Sequence, residues 1–177
     1  MDIVQLTVAG IDFDAAHIVS WHPKCKRLHG HTYNVEVKVE GEVDSLTSMV
    51  IDFGIVKDIA SQTADMFDHR LLIDAQYVLE ESKSIKVPRL LTIYDTDLEA
   101  VVPLPGEATV EVITHYFLQV FLRKLFSRVT SATYARIKAV TVTISEGNAK
   151  SASRRFETSP QKTVQTELPL EKPKAVR

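Results

Sequence analysis

CKRLHGHTY, residues 25–33, holds the only cysteine of the chain and two of its six histidines. His29 and His31 are two residues apart, so their side chains point to the same face if this part of the chain is extended. Gly30 between them lets the backbone turn tightly without a clash against a Cβ atom. The stretch is compatible with a metal site, a reactive thiol or a polar turn between two strands, and the residues around it discriminate among these.

The flanking residues alternate between apolar and polar side chains, as expected for β-strands. Residues 31–40 predict a half-buried strand, with His31 on its apolar face. Residues 3–18 predict a long strand. On it, His17 lies an even number of residues from Phe13, so its side chain is also expected to face the core. His17 and His31 are thus expected on the buried side of neighbouring strands.

If these strands pair antiparallel, His17, His29 and His31 converge at one end of the sheet. Three neutral imidazoles with one open position form the ligand set of a catalytic zinc site. The alternative is that each is an isolated histidine, hydrogen-bonded in the core or at a strand end. Because three inward histidines coincide, the sequence favours a zinc site.

Cys25 lies four residues before His29 and has basic residues on both sides, which favour its thiolate form. A thiolate beside a metal-bound substrate can serve as a base or as a nucleophile. The residues leave two other roles open, namely a fourth metal ligand and an inert, small apolar residue.

Two later motifs carry titratable side chains. Asp68 and His69 follow a predicted helix, where a positively charged imidazole can also act as a C-terminal cap. Glu146 is spaced so that its side chain points the same way as the apolar residues of a predicted strand over 140–144. Its carboxylate would therefore lie on the buried face of the sheet, unless the strand ends before it. Burying a carboxylate is costly unless it is paired, and a ligand with two adjacent N–H donors, such as a guanine-like or pterin ring, would pair with it.

The remaining pattern predicts an α+β fold. Asp52 can cap a first helix whose apolar stripe reaches Phe67, and a second helix follows Thr109. Strands over 140–144 and 153–156 complete the order β-β-α-α-β-β, an antiparallel sheet with the helices on one face.

One domain accounts for residues 1–156. Within it, residues 75–108 form a long segment between the two helices that predicts a lid or an extra hairpin. Residues 157–177 combine prolines with scattered charges, which predicts a flexible, solvated C-terminal tail.

The composition narrows the class of protein. A chain of 177 residues with 45% apolar residues can bury a core, and its net charge of −2 gives no electrostatic case for a nucleic-acid partner or an anionic membrane. No apolar run approaches the ~18 residues of a transmembrane helix, and the start lacks the pattern of a signal peptide. A single cysteine cannot form an internal disulfide, so we expect a cytoplasmic protein.

Together these residues resemble the 6-pyruvoyl-tetrahydropterin synthase family, which has the tunnelling fold. The resemblance is carried by FDAAH (13–17), CKRLHGHTY (25–33), GEVDSLTSMVIDF (41–53), FDHRLL (67–72), ATVE (108–111) and TISEG (143–147). It covers about residues 3–156 in order and is interrupted by residues 75–108. The three residues between Cys25 and His29 look like the 6-carboxytetrahydropterin synthase branch, since the biopterin branch has a longer spacing there.

The resemblance implies a zinc-dependent lyase. Its substrate would be 7,8-dihydroneopterin triphosphate, and its products 6-carboxy-5,6,7,8-tetrahydropterin, acetaldehyde and triphosphate, in queuosine (7-deazapurine) biosynthesis. The alternatives are a biopterin-type 6-pyruvoyl-tetrahydropterin synthase, a zinc- and pterin-binding homologue without catalysis, and a cysteine hydrolase that uses Cys25 and His69. The family also implies trimeric barrels stacked into a homohexamer, which would cover the exposed edges of a four-stranded sheet.

The same resemblance implies that His17, His29 and His31 hold the zinc and that Cys25 is the proton acceptor. Zinc polarises the side-chain oxygens of such a substrate, so that a thiolate can remove protons from the adjacent carbons.

The other implied roles belong to five polar residues. His69, oriented by Asp68, would be the acid–base partner of the cysteine. Glu146 would anchor the pterin ring and join the catalytic relay, and Thr109 and Glu111 would help to hold the ring.

Overall fold

The computed structural model describes residues 3–158. Its strands and helices are, in chain order, β1 (Ile3–His17), β2 (His29–Glu42), α1 (Phe53–Ala64), β3 (Arg70–Asp74), β4 (Val78–Leu79), β5 (Ser84–Val87), β6 (Leu91–Ile93), β7 (Val101–Leu104), α2 (Val110–Arg128), α3 (Ser131–Arg136), β8 (Ile137–Glu146) and β9 (Lys150–Glu157). A flexible tail is predicted over 157–177, but Glu157 is the last residue of β9. The rest of the predicted tail, from position 159 onward, lies outside the described residues.

The main sheet has six strands in the order β7-β3-β1-β2-β8-β9. Its four longest strands, β1, β2, β8 and β9, pair antiparallel, as the alternation predicts. β3 and β7 extend the sheet beside β1 as parallel strands. The alternation does not reveal them because they have only five and four residues. The α+β fold class is confirmed, with a sheet that is mixed at one edge.

The two long helices cover one face of the main sheet. α1 begins after Asp52, whose side chain accepts a hydrogen bond from a backbone N–H of the first turn at 2.6 Å, as expected for an N-cap. The helix ends at Ala64, so Phe67 lies beyond it but is still fully buried. Phe13, Phe67 and Phe117 form the aromatic centre of the core, with ring centroids 5.3 to 6.5 Å apart. Within residues 3–158, no helix is long and apolar enough to cross a lipid bilayer.

Residues 75–108, for which the sequence predicts a lid or an extra hairpin, contain four short strands. β4, β5 and β6 make a separate antiparallel sheet, while β7 joins the main sheet. We call residues 75–104 the insertion. Its apolar side chains pack with the second face of the main sheet in a small core of Ile18, Ile73, Ile85, Val87 and Val101. The small sheet of the insertion, β4 to β6, therefore covers the part of the second face that β3 and β7 form.

The loop between β1 and β2, residues 18–28, carries Cys25 and is called the cysteine loop below. Its first residue, Ile18, is buried in the small core under the insertion. The insertion therefore supports the base of the cysteine loop.

Candidate metal centre and active site

The pairing of β1 with β2 brings three histidines together. The strands run antiparallel, with His17 opposite His29 and Ala15 opposite His31. The ligand nitrogens of the three histidines all lie within 4.8 Å of one another. Among the residues described by the structure, this is the one group of histidine, cysteine or acidic side chains that could hold a metal ion.

Backbone carbonyls fix the orientation of two of these rings. His17 Nδ1–H donates to the Ala108 carbonyl at 2.6 Å, and His29 Nδ1–H donates to the Arg27 carbonyl at 2.7 Å. Because a carbonyl can only accept, the proton of each neutral ring lies on Nδ1 and the lone pair on Nε2. The two Nε2 atoms are 3.0 Å apart. Two nitrogens bound to one tetrahedral zinc at ~2.0 Å would be ~3.3 Å apart, so this donor set fits a zinc ion.

Burial favours the neutral form of His17, which is the form that binds metals. The residue is 2% exposed. Burial lowers its pKa, and the neighbouring His29 and His31 shift it in the same direction, against the opposing effect of the hydrogen bond to Ala108. A neutral imidazole keeps a free lone pair for a metal ion.

Gly30 is an extended residue of β2, so the expectation that it allows a tight turn is wrong. A Cβ atom at this position would lie only 3.0 Å from the carbonyl oxygen of Ala15 on β1. The glycine therefore permits the close approach of the two strands between His29 and His31.

Cys25 lies in a loop that hydrogen bonds close. The Val19 N–H donates to the Cys25 carbonyl at 2.9 Å, and the Cys25 N–H donates to Nδ1 of His22 at 3.1 Å. His22, for which the sequence suggests no role, therefore shapes the cysteine loop. The thiol is half-buried and does not belong to the histidine cluster, as far as the described residues extend.

Tyr33 lies between Glu146 and the histidines. It lies opposite Glu146 in the pairing of β2 with β8, and its ring contacts those of His17 and His31. Burial raises the pKa of Tyr33, and negative charge on Glu146 and on Cys25 acts in the same direction. That hydroxyl is buried and has no hydrogen-bond partner within residues 3–158. Glu146 thus faces the histidine side of the sheet, as its parity predicts.

Asp68 and His69 form a fixed pair just before β3. Asp68 accepts hydrogen bonds from the Asp14 N–H at 2.9 Å and from Nδ1–H of the His69 ring at 2.7 Å. The bond from Asp14, with a smaller contribution from His69, holds the pKa of Asp68 below its usual range. The alternative of an imidazole helix cap is wrong, because the last carbonyls of α1 accept backbone N–H groups of the residues that follow, and the His69 ring donates to Asp68 instead.

His69 lines a cleft to which Cys25 does not contribute. This cleft, of about 560 Å³, is lined by His31, His69 and neighbouring residues of β1, β2 and β3. Of the described residues, neither Cys25 nor Glu146 lines it. The His69 side chain is 81% exposed. Within one chain, His69 and Cys25 therefore do not share this cleft.

Thr109 and Glu111 lie at the N-terminal end of α2. Thr109 is the N-cap residue, but its side chain makes no capping hydrogen bond, and Glu111 is exposed in the first turn. Both follow closely after Ala108, whose carbonyl orients His17. Thr109 thus adjoins the residue that orients His17, and the roles of Thr109 and Glu111 in holding a substrate stay predictions.

Glu107 is a site residue for which the sequence offers no signal. Its carboxylate accepts hydrogen bonds from the Ser20 backbone N–H at 2.8 Å, from the Tyr77 hydroxyl at 2.9 Å and from the Ser20 hydroxyl. These bonds join the cysteine loop, the insertion and the segment before α2. Because Glu107 precedes Ala108, one short segment holds both the His17 ring and the base of the cysteine loop.

We expect Glu107→Gln to destabilise the protein without removing the metal. The amide replaces a carboxylate that accepts three hydrogen bonds, and losing charge-assisted hydrogen bonds costs about 1–3 kcal/mol. Thermal unfolding and zinc content should be compared with those of Glu99→Gln, a change at an exposed residue. Equal melting temperatures for the two variants would show that the network does not stabilise the fold.

A family model described as 6-pyruvoyl tetrahydropterin synthase matches residues 6–157 of the chain. The putative 6-carboxy-5,6,7,8-tetrahydropterin synthase of Methanocaldococcus jannaschii is 32% identical over 152 residues, which cover 83% of this chain and 91% of that protein. The 6-carboxy-5,6,7,8-tetrahydropterin synthase of Rickettsia felis is 43% identical over 65 residues, which cover 36% of this chain and 47% of that protein.

Solved structures have the same fold. The 6-pyruvoyl tetrahydropterin synthase of Plasmodium falciparum superposes with a TM-score of 0.77 at 20% identity, over 89% of this chain and 100% of that one. The Caenorhabditis elegans 6-pyruvoyl tetrahydropterin synthase gives a TM-score of 0.54 at 26% identity, over 90% of this chain and 98% of that one. These structures confirm the predicted fold class.

Proposed function

Because the chain belongs to the 6-pyruvoyl tetrahydropterin synthase family, we propose that it is a zinc-dependent lyase acting in the cytoplasm on 7,8-dihydroneopterin triphosphate. Its products are 6-carboxy-5,6,7,8-tetrahydropterin, acetaldehyde and triphosphate, in a step of queuosine biosynthesis. The prediction of a lyase of this type is confirmed by the names of the relatives. The zinc ion, the substrate and by-products, the pathway, the cytoplasmic location and the residue roles are the parts that we propose.

The observation that carries the proposal is the convergence of His17, His29 and His31 beside the loop of Cys25. Two of the rings are already turned with Nε2 toward each other, and three imidazoles leave a fourth position for the substrate. When bound, zinc would polarise the side-chain oxygens of the substrate and make the protons on the adjacent carbons acidic.

The remaining residues bind the substrate and move protons. Cys25 takes a proton from a side-chain carbon, and His69 returns one to the product. Glu146 pairs with the two adjacent N–H groups of the pterin ring and so orients the side chain toward the histidines. Thr109 and Glu111 add polar contacts from the N-terminal end of α2.

Product analysis tests this function directly. The substrate and one water contain all the atoms of the three products, so the reaction needs no oxidant or reductant. Incubation with 7,8-dihydroneopterin triphosphate should yield 6-carboxy-5,6,7,8-tetrahydropterin and acetaldehyde by mass spectrometry. A 6-pyruvoyl product would indicate the biopterin-type reaction, and pterin binding without any product would indicate a homologue without catalysis. Hydrolysis that survives removal of the metal would favour a cysteine hydrolase.

We further propose that the active form is a homohexamer of two stacked trimeric barrels. The main sheet ends in two edge strands, β7 and β9, and barrel closure between subunits would cover such edges. In one chain, His69 faces a cleft that Cys25 and Glu146 do not line. Neighbouring subunits would therefore supply His69 and Asp68 to the site that holds Cys25.

Mixing two inactive variants should restore part of the activity if the site is shared in this way. Cys25→Ala and His69→Ala chains each lack one group, but random mixing in equal amounts leaves about a quarter of the sites with both groups intact. Activity should be measured after the two variants are dissociated and reassembled together. Cys25→Ala mixed with His29→Ala is the control, because both residues come from the same chain and no mixed site is complete. A protein that is monomeric by light scattering and fully active at the same concentration would contradict the proposal.

A further inference from the structure

A second pocket, of about 630 Å³, lies between the cysteine loop and the insertion. We call it the loop–insertion pocket. The loop contributes Ser20, Trp21 and Lys26, and the insertion contributes Tyr77 and the turn 87–90. None of these residues is a ligand of the metal centre or lines the cleft beside His69. The pocket is therefore separate from both features already described.

The charged side chains that line this pocket are both cations. Lys26 and Arg89 are exposed, and neither forms an ion pair with a carboxylate among residues 3–158. The Glu107 carboxylate, which accepts hydrogen bonds from Ser20 and Tyr77, keeps its negative charge but does not line the pocket, and the two cations outnumber it. The pocket therefore offers two unpaired positive charges to an anion.

Hydrogen-bonded turns carry both cations. The Lys26 N–H donates to the His22 carbonyl at 3.1 Å. On the opposite wall, the Leu90 N–H donates to the Val87 carbonyl at 3.1 Å and closes the turn that contains Arg89. Cations on preformed turns lose less conformational freedom when they bind a ligand. The backbone positions of both cations, on the loop and on the insertion, are thus held by hydrogen bonds.

We propose that the loop–insertion pocket binds the triphosphate group of the substrate. The proposal rests on the proposed function, which places the reacting carbons beside Cys25. Lys26 directly follows Cys25, and Ser20 is the third residue after His17, a span of at most ~11 Å of extended chain. The pocket therefore lies within reach of the histidines along the chain, close enough for one substrate to span both sites. A triphosphate carries several negative charges, and lysine and arginine are the side chains that bind phosphate in proteins.

Calorimetric titration of the full-length, zinc-loaded protein with inorganic tripolyphosphate tests the pocket without requiring turnover. We expect binding that weakens by at least about tenfold in the Lys26→Ala/Arg89→Ala double variant and that decreases as salt is added. Lys57→Ala/Lys86→Ala is the matched control, because it removes the same charge from two exposed positions outside both the pocket and the edge strands β7 and β9. Equal affinity in the two double variants, or no binding to the wild type at millimolar concentrations, would overturn the proposal.

Steady-state kinetics distinguish a substrate subsite from a site for free polyphosphate. With 7,8-dihydroneopterin triphosphate, the Lys26→Ala/Arg89→Ala variant should raise KM by at least about tenfold, with a smaller effect on kcat. Tripolyphosphate should compete with the substrate in the wild type. Binding without competition would overturn the assignment to the substrate. If the wild type does not turn over this substrate but the calorimetric difference persists, the proposed function fails and the anion pocket stands.

Discussion

Replacing His29 by alanine is expected to abolish metal binding and activity together. His29 supplies one of three imidazoles whose nitrogens lie within 4.8 Å of one another, and the Arg27 carbonyl already holds its Nδ1–H. The substitution leaves two ligands, whereas catalytic zinc sites use three protein ligands. Loss of a residue that merely supports a ligand weakens metal binding roughly 10–100-fold, so loss of the ligand itself should weaken it by more than ~100-fold.

Zinc content per chain after dialysis and product formation should be measured on the same preparation of His29→Ala. His115→Ala is the control, because His115 lies on α2 outside the histidine cluster and its loss should leave the metal in place. Circular dichroism of both variants shows whether they are folded. Full zinc content in His29→Ala would rule out His29 as a ligand.

The histidine cluster could be predicted from the sequence because the direction of a side chain on a strand depends only on parity. Alternation alone places His17 and His31 on the core side of two long strands. Antiparallel pairing then brings the strand ends together, and the structure indeed places His17 opposite His29. Glu146 follows from the same reasoning on β8, where it lies opposite Tyr33.

The insertion and its network could not be predicted in this way. β4 and β6 have two and three residues, which is too short for an alternation to show. Glu107 binds partners that are distant in the sequence, since Ser20 is 87 residues away and Tyr77 is 30 residues away. Such contacts depend on how the chain folds back on itself, and they produce no repeating pattern in the sequence.

Cys25→Ala is expected to retain its zinc and to lose turnover by about two to four orders of magnitude, the usual contribution of a positioned acid or base. The thiol does not belong to the histidine cluster among the described residues, and three imidazoles leave open the position that a substrate needs. The hydrogen bonds of Cys25 to Val19 and His22 use only its backbone, so alanine can keep them. The substitution should therefore remove the sulfur and leave the loop in place.

Zinc content, pterin affinity and kcat of this variant should be measured beside those of Cys25→Ser, whose hydroxyl is a far weaker base and should be nearly as inactive. If Cys25 were a fourth metal ligand, the alanine variant would lose zinc and activity together, as expected for His29→Ala. If it were inert packing, turnover would stay near the wild-type value. Because the three roles give three different combinations of zinc content and turnover, these measurements on one variant decide which role Cys25 has.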